Sequence, residues 1–472
     1  MPEKKFSNGN KQVDATPVKS FFVSMLTRDI TLPYAILDLL DNCVDGILRT
    51  TNSGHGNTPY KGFKAEIDFD KDSFCIHDNC GGIPWNLSDY AFRMGRPAGR
   101  GEKLIGTVGT YGIGMKRAIF KIGKNCSITT KNGKDSYEIN ITPKWILDEG
   151  DWRLPVERAK QSMKEDGTTI VIDKLYPGIS AQFGHDKASF EADLTDKIAT
   201  HYAFIIEKGF SVYVNQVAVK PRPTSLLFAD PDRKTKKAIR PFIYKTNVDG
   251  VSVFLTVGFT RPIPSQEEVQ DEQEEKKYSS LGAGWTVLCN DRAVLYCDKT
   301  EVTGWGEAGV PNYHTQFIAI SGIVEFISDD PSKLPTTTTK RGINSSSSLY
   351  LQVKNKMREG MLLFTQYTNK WKTDIKQSKD HMRSGRALRL QEIKQVASNL
   401  SFMPVKGVIG GEQYKPSLPM PKPIEPNRIR ISFVRKKHEI QLVGTYLFED
   451  AEASASKIGE RCFDEILKEA KK

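Results

Sequence analysis

The sequence predicts an α+β fold for the first part of the chain, built from amphipathic helices and alternating strands. Two segments have the apolar spacing of helices, residues 34–46 and the run that follows residue 114. Strand-like patterns occur in four further segments: 63–69, 73–77, 126–142 and 167–172. The third observation is a glycine-rich stretch, residues 106–116, placed directly before the second helix. Backbone N–H groups at the start of a helix after such a loop favour an anion, most often phosphate.

The composition is that of a soluble globular protein with two or three domains. The chain has 472 residues, of which 38% are hydrophobic and 26% are charged. It has no apolar run of the roughly 18 residues that a membrane helix needs, and its polar start lacks the apolar segment of a signal peptide. The seven cysteines form no C-x-x-C pair, so neither a zinc site nor a disulfide framework is indicated. We therefore expect a cytoplasmic protein, and the net charge of +11 permits a nucleic-acid partner.

Acidic residues interrupt the apolar face of the predicted helix 34–46. Pro33 suits its first turn, and its apolar stripe consists of Ile36, Leu39, Leu40 and Cys43. The interrupting residues are Asp38, Asp41, Asn42 and Asp45. Carboxylates this close repel one another unless a cation or ligand compensates. The helix therefore carries either a ligand site or a solvated polar face.

Three loops could bring further polar groups to the same place. The strand at 73–77 ends in Asp78-Asn-Cys-Gly-Gly82, a turn that can present a carboxylate. The glycine stretch ends in Gly112-Ile-Gly114-Met-Lys116, and residues 95–107 before it have the polar composition of a mobile lid. Gly167-Thr168 precedes the last predicted strand. Taken alone, the glycine stretch could equally be a flexible surface loop.

Together the four motifs resemble one family, the Bergerat-fold or GHKL ATPases, which include gyrase B, the large heat-shock chaperone, histidine kinases and MutL. The motifs occur in the family's order over residues 20–175: Asp38-x-x-Asp41-Asn42-x-x-Asp45-Gly46, Asp78-Asn-Cys-Gly-Gly82, Gly109-Thr-Tyr-Gly112-Ile-Gly114-Met-Lys116 and Gly167-Thr168. The Tyr-Gly-x-Gly-x-Lys form is similar to that of MORC and MutL-like members. The resemblance implies an α/β sandwich with helices on one face of a mixed sheet.

The resemblance also implies roles for single residues, with ATP and Mg²⁺ as cofactors. Asn42 would ligate Mg²⁺, which takes few protein ligands beside phosphate and water. Asp78 would accept a hydrogen bond from the adenine amino group, Gly82 would pack on the base, and Thr168 would support it through water. The phosphates would be wrapped by Gly109, Gly112, Gly114 and Lys116. Two neighbouring residues of the motifs are expected at the nucleotide as well: Asp45 and Met115.

Two positions depart from the family pattern. Asp38 stands where hydrolysing members have the glutamate that acts as general base, and aspartate is shorter by one methylene. Because a general base contributes typically 10²–10⁴-fold in rate, we expect slow turnover, with ATP binding without hydrolysis as the alternative. Cys80 stands where the family usually has glycine, which puts the backbone geometry of that turn in doubt.

The rest of the chain resembles the transducer domain that follows the ATPase in MutL, gyrase and MORC proteins. That domain supplies a lysine to the γ-phosphate, and the candidate is Lys340, with Arg341 as the second choice. Between residues 351 and 394, eleven Lys/Arg face four Asp/Glu, which is either a solvated helix surface or a track for DNA phosphates. The predicted divisions are a flexible lead 1–14, an ATPase domain 15–190, a transducer-like domain 191–345, a basic helical region 346–402, a proline-rich linker 403–427 and a small α/β module 428–472.

These features predict an ATP-driven conformational switch. Two copies would clamp together when ATP is bound and act on DNA or on a partner protein, without a membrane. A nucleotide-gated scaffold without turnover is the first alternative. Phosphotransfer of the histidine-kinase type is remote, because no histidine occurs before His55 and so none precedes the asparagine helix.

Overall fold

Helices and strands alternate through the first 219 residues of the computed structural model. The helices are α1 (Lys19–Arg28), α2 (Leu32–Thr51), α3 (Ser88–Phe92), α4 (Gly114–Ile122), α5 (Pro143–Leu147), α6 (Pro177–Gly184), α7 (Lys187–His201) and α8 (Ala203–Glu207). The strands are β1 (Lys64–Phe69), β2 (Ser73–Asp78), β3 (Gly123–Asn132), β4 (Asp135–Ile141), β5 (Val156–Arg158), β6 (Gly167–Leu175), β7 (Ser211–Val214) and β8 (Val217–Ala218). The predicted α+β class is confirmed.

The chain divides into two units, Met1–Met420 and Pro421–Lys472, which are described separately. The residues that the structure describes are 18–51, 58–95, 112–159, 163–229, 238–265, 267–270, 282–337, 339–372, 374–382, 385–407, 409–421, 431 and 433–472. Gly109 and the predicted lid from residue 96 onward lie outside them.

Strands β1 to β8 form one mixed sheet in the order β5-β4-β3-β6-β2-β1-β7-β8. Neighbouring strands are antiparallel except for β1 and β7, which are parallel. Side chains alternate between faces along a strand, so Phe74 and Ile76 of β2 are buried on the same side as Asp78. The buried face of β2 therefore ends in a carboxylate.

The long helix α2 covers this sheet and is buried on almost every side. Its apolar residues join those of β1, β2 and α4 in one core. Asp38, Asp41 and Asp45 are buried with them, while Asn42 is exposed. The acidic residues are therefore not a solvated face, and each needs compensation inside the fold. The same core extends to Val219, past the predicted boundary at residue 190. We call residues 18–219 the N-terminal body.

A second sheet follows within the same unit. We call residues 220–420, which contain this sheet, the central body. Its strands are β9 (Ser225–Phe228), β10 (Phe242–Val248), β11 (Val251–Phe259), β12 (Gly284–Cys289), β13 (Arg292–Asp298), β14 (Ile320–Ile327), β15 (Arg386–Arg389), β16 (Met403–Pro404) and β17 (Glu412–Tyr414). Its helices are α9 (Ser348–Trp371), α10 (Ile375–Met382) and α11 (Leu390–Ala397). Seven strands pair in the order β13-β12-β14-β11-β10-β17-β16, and β15 pairs with β9.

Two segments of the central body differ from the sequence expectation. The region 346–402 was predicted to be helical, yet β15 forms there and pairs with β9. The proline-rich segment 403–427 read as a linker, yet β17 adds to the edge of the second sheet beside β10. Both pairings join residues about 160 positions apart, which local pattern cannot reveal.

The turn between β12 and β13 connects the two bodies. Asn290 and Asp291 form a two-residue turn with φ of 46° and 66°, as tight hairpins require. The Asp291 carboxylate accepts hydrogen bonds from Tyr60 Oη at 2.9 Å and from Lys208 Nζ at 2.6 Å. Because Tyr60 and Lys208 belong to the N-terminal body, this buried cluster fixes the hairpin tip against it.

The C-terminal unit contains two helices, α12 (Lys437–Phe448) and α13 (Ala455–Ala470). Both lie in the small α/β module predicted at 428–472, whose first residues lie largely outside the described residues. Ser454 caps α13 by accepting a hydrogen bond from the Lys457 backbone. Among the helices that the structure describes, none combines the length and apolarity needed to cross a bilayer.

The contact between α9 and the second sheet depends on a glycine. A Cβ at Gly360 would lie 2.4 Å from Val257 Cγ1 and 2.9 Å from Phe242 Cδ1. We expect Gly360→Ala to lower the free energy of unfolding by about 1–3 kcal/mol, the usual cost of overpacking, as measured by urea denaturation. Gly178→Ala in α6 is the control, since its added Cβ meets nothing within 4 Å and alanine favours helix. Equal effects of the two substitutions would contradict the close packing.

Candidate functional site

A cavity lies where α2, the end of β2 and the start of α4 meet. Its volume is about 160 Å³. The sequence-predicted residues that line it are Asp38, Asn42, Asp45, Asp78, Gly82, Gly112, Gly114, Met115, Lys116, Thr168 and Lys340. Residues from four separate motifs and from the central body therefore share one space.

The closed end of the cavity is apolar and contains one oriented carboxylate. Asp78 and Thr168 face each other across the β2–β6 pair, and Ile76 and Ile170 also line the cavity. Asp78 Oδ1 accepts the Cys80 backbone N–H at 2.8 Å. Burial raises the pKa of Asp78, although this hydrogen bond partly offsets the effect. Thr168 Oγ1 lies 3.1 Å from Thr130 Oγ1, which fixes its position.

The turn after Asp78 brings backbone close to this end. Gly81 and Gly82 have φ of 88° and 63°, and a Cβ at Gly82 would lie 1.9 Å from the Lys131 carbonyl oxygen. Arg49 Nη2 donates to the Gly82 carbonyl at 2.6 Å and holds the turn on α2. Cys80 is buried without a positive φ, because the two glycines that follow it adopt the left-handed conformations. The departure from glycine at position 80 is therefore compatible with the turn.

The open end of the cavity carries Asn42 and the helix α4. Asn42 Nδ2 donates to the Asp38 carbonyl one turn earlier at 2.9 Å. This orientation leaves Asn42 Oδ1 as the atom for a ligand, and it accepts no hydrogen bond from the described residues. Gly114 begins α4 so close to α2 that its Cβ would lie 3.4 Å from Asp38 Cβ. Helix α4 thus starts directly beside Asp38, the candidate general base.

The predicted phosphate lysine is buried at the start of α4. Lys116 Nζ donates to the Ala91 carbonyl at 2.7 Å and to the Gly112 carbonyl. It lines the cavity, but in this arrangement it joins α4 to α3. Asp45, one turn after Asp41 on α2, and Met115 are buried at the same wall.

Asp38, the candidate base, is paired with an arginine that the sequence analysis did not single out. Arg117 donates to Asp38 Oδ2 from Nε at 3.0 Å and also from Nη2. Burial raises the pKa of Asp38, whereas the charges of Lys340 and Arg117 lower it and only partly offset the burial. The signal for Arg117 was its place directly after Lys116.

Asp41 is the centre of a second buried network, which joins the two bodies. Its carboxylate accepts hydrogen bonds from Arg292 Nε at 3.0 Å, from Lys340 Nζ at 2.8 Å and from the Tyr202 hydroxyl. Burial alone would raise the pKa of Asp41, but Lys340 and Arg292 outweigh it and hold that pKa at about 2. The candidate switch lysine thus reaches the cavity and binds an α2 carboxylate there.

The sequence carried no signal for Arg292 or Tyr202, because both lie outside the four motifs. Arg341, the second candidate for the switch, turns away, with its guanidinium carbon 4.3 Å from the centre of the Tyr34 ring. It does not line the cavity.

The donor set fits a magnesium-bound adenine nucleotide. An apolar slot with one buried carboxylate suits a purine amino group, and Gly82 lines the same slot without a side chain. At the other end, Lys116, Arg117 and Lys340 supply positive charge for phosphates, and an amide oxygen is a suitable Mg²⁺ ligand.

Comparison with known proteins supports this interpretation. Residues 30–169 match the family model described as histidine kinase-, DNA gyrase B- and HSP90-like ATPase. A search of curated proteins gives no match. The matched segment includes α2, the turn after β2, the start of α4 and Thr168. The chain therefore contains an ATPase domain of the histidine kinase-, DNA gyrase B- and HSP90-like family.

Proposed function

We propose that the protein is an ATP-binding and slowly ATP-hydrolysing conformational switch. The observation that carries the proposal is the convergence of Asn42, Asp78, Lys116 and Lys340 on one cavity within a segment of this ATPase family and its neighbouring body. In this proposal Asp78 accepts from the adenine amino group and Gly82 lies against the base. Asn42, Lys116 and the start of α4 hold the phosphates.

Hydrolysis is assigned to Asp38 as general base. A Mg²⁺ ion held by Asn42 Oδ1 would neutralise phosphate charge and help to polarise the γ-phosphate. Asp38 would orient a water and take its proton, for which the carboxylate must be ionised and released from Arg117. The two hydrogen bonds from Arg117 to Asp38 Oδ2 compete with water for that oxygen. This competition is the physical reason to expect slow turnover.

The switch is assigned to Lys340. A γ-phosphate in the cavity would compete with Asp41 for the Lys340 ammonium group, so ATP would draw the lysine away from α2. That exchange would alter the contact between the two bodies and couple nucleotide state to their arrangement, since only differential contacts can shift such an equilibrium. Two copies closing on each other when ATP is bound is the output we propose.

The same Arg117 contact favours the second candidate function, a nucleotide-gated scaffold without turnover. If Arg117 stays on Asp38 in the nucleotide-bound state, no base is available. ATP would then order the site without being hydrolysed.

DNA is the less supported of the two proposed clients. Many basic side chains of the segment 351–394 are paired within the chain: Lys354 and Arg358 with Glu307, Lys356 with Glu359, Lys379 with Glu268, Arg389 with Glu207, and Lys394 with Glu325. The exposed remainder includes Lys370, Lys372, Lys376 and Arg386. A partner protein is therefore the client we favour.

Asn42→Ala tests the nucleotide site. We expect it to weaken Mg²⁺-dependent ATP binding by at least about tenfold, the scale on which metal-site substitutions act, as measured by calorimetry with and without Mg²⁺. Asn355→Ala, an exposed asparagine of α9, is the matched control. Equal ATP affinity in the two variants, or no heat with the wild-type protein, would contradict the proposal.

The acid limb of the hydrolysis rate tests Asp38. Because a base acts only when ionised, the rate should fall as pH drops through the pKa of Asp38, which burial raises above its usual value. Asp38→Asn should lower kcat by about 10²–10⁴ with ATP affinity retained. Arg117→Gln removes a positive charge that lowers this pKa, so the acid limb should move to higher pH.

Arg153→Gln is the control for charge loss, because Arg153 is exposed at the surface. An unchanged kcat in Asp38→Asn would exclude Asp38 as the base. Undetectable turnover in the wild-type protein, together with intact ATP binding, would favour the scaffold.

Lys340→Met tests the switch. Without this lysine the protein should lose its preference for ATP over ADP and should no longer dimerise with a non-hydrolysable ATP analogue, as measured by light scattering. Arg341→Met provides the comparison, because Arg341 lies on Tyr34 rather than in the cavity. Loss of both properties in Arg341→Met alone would transfer the role to Arg341.

A further inference from the structure

Two cysteines stand at the closed end of the cavity beside Asp78. Cys43 follows Asn42 on α2, and Cys80 lies two residues after Asp78. Their Sγ atoms and one Asp78 carboxylate oxygen all lie within 4.8 Å of one another. All three side chains are buried and line the cavity. None of the roles proposed above uses either thiol.

The cluster has the composition and approximate dimensions of a tetrahedral zinc site with one open position. Cys43 Sγ donates to Asp78 Oδ2 at 3.5 Å. A tetrahedral zinc with ordinary bond lengths of about 2.3 Å to sulfur and about 2.0 Å to oxygen separates two such ligands by roughly 3.5 Å. Two thiolates and a carboxylate provide three protein ligands, which leaves one tetrahedral position for water or another ligand.

The backbone already orients the carboxylate for this purpose. Cys80 N–H holds Asp78 Oδ1 at 2.8 Å, so Oδ2 is the oxygen that points to the Cys43 thiol. Such outer contacts fix ligand orientation in metal sites. A hydrogen bond with Cys80 and burial raise the pKa of the Cys43 thiol, and burial raises the pKa of the Cys80 thiol. Both lose their protons to solvent when a metal binds, as metal coordination requires.

We propose that Cys43, Asp78 and Cys80 form a site for Zn²⁺ or another thiophilic divalent cation, and that the cation there excludes nucleotide. The exclusion rests on the proposed function, because it requires that Asp78 receive the adenine amino group. A cation on Oδ2 would take one of its lone pairs and set a positive charge against the adenine amino group, which would disfavour that hydrogen bond. Mg²⁺, which prefers oxygen ligands, would not compete for the thiols.

The first measurement uses the full chain, reduced and freed of metal, without nucleotide. Co²⁺ titration should give a thiolate-to-metal charge-transfer band that saturates at one equivalent, and Zn²⁺ should abolish the band. Cys43→Ala and Cys80→Ala should each weaken Zn²⁺ binding at least about tenfold, as measured by competition with a chromophoric chelator. Cys126→Ala, a buried cysteine of β3, is the control. Absence of the band, or equal Zn²⁺ affinity in all three variants, would overturn the site.

The second measurement tests the exclusion. Zn²⁺ should raise the apparent dissociation constant of a fluorescent ATP analogue in proportion to its concentration, and the Cys43→Ala/Cys80→Ala variant should be insensitive. Zinc that binds while nucleotide affinity is unchanged would overturn the exclusion. A protein that binds zinc through the thiols but binds no nucleotide would refute the proposed function and leave the metal site established.

Discussion

The buried carboxylate of Asp41 joins the N-terminal body to the central body through ion pairs. Removing a charged carboxylate from water costs several kcal/mol unless partners compensate. Asp41 lies on α2 of the N-terminal body, yet its two cationic partners, Arg292 and Lys340, come from the central body. Among the described residues of the N-terminal body, the Tyr202 hydroxyl is the side-chain donor to Asp41. The negative charge of Asp41, on the helix that carries the candidate magnesium ligand, is therefore compensated by cations of the central body.

This dependence gives the interface a role in the chemistry. Asp38 and Asp41 are neighbours on α2, and each is bound by groups that a triphosphate would also attract. Phosphate charge in the cavity would compete with the carboxylates of Asp38 and Asp41 for Arg117 and Lys340. The energy of the resting ion pairs then sets how strongly nucleotide must bind to change the arrangement. In the proposed function, tight resting pairs would favour slow, strongly gated turnover over rapid hydrolysis.

What the sequence could predict follows the distance along the chain between interacting groups. Helix α2 and strand β2 depend on periodicity within a few residues, so both were predicted, although α2 extends five residues beyond its predicted end at Gly46. The cavity could be assembled because the resemblance orders four motifs along the chain. The partners of Asp41 lie 161, 251 and 299 positions away, and no local pattern announces such pairs. For the same reason β15 was taken for helix, and the ion pairs that neutralise much of the basic segment were not expected.

The two-residue turn at Asn290 and Asp291 has a consequence for how the bodies can change relative position. Its tip is anchored by Tyr60 and Lys208, and the next residue is Arg292, which holds Asp41. Because the anchored residues Asp291 and Arg292 are consecutive, the hairpin tip fixes the distance between the two sheets at this point. Lys340 sits on a separate loop with a left-handed φ of 55°. A rearrangement of the two bodies would then be a rotation about the hairpin tip, accompanied by movement of the loop that carries Lys340.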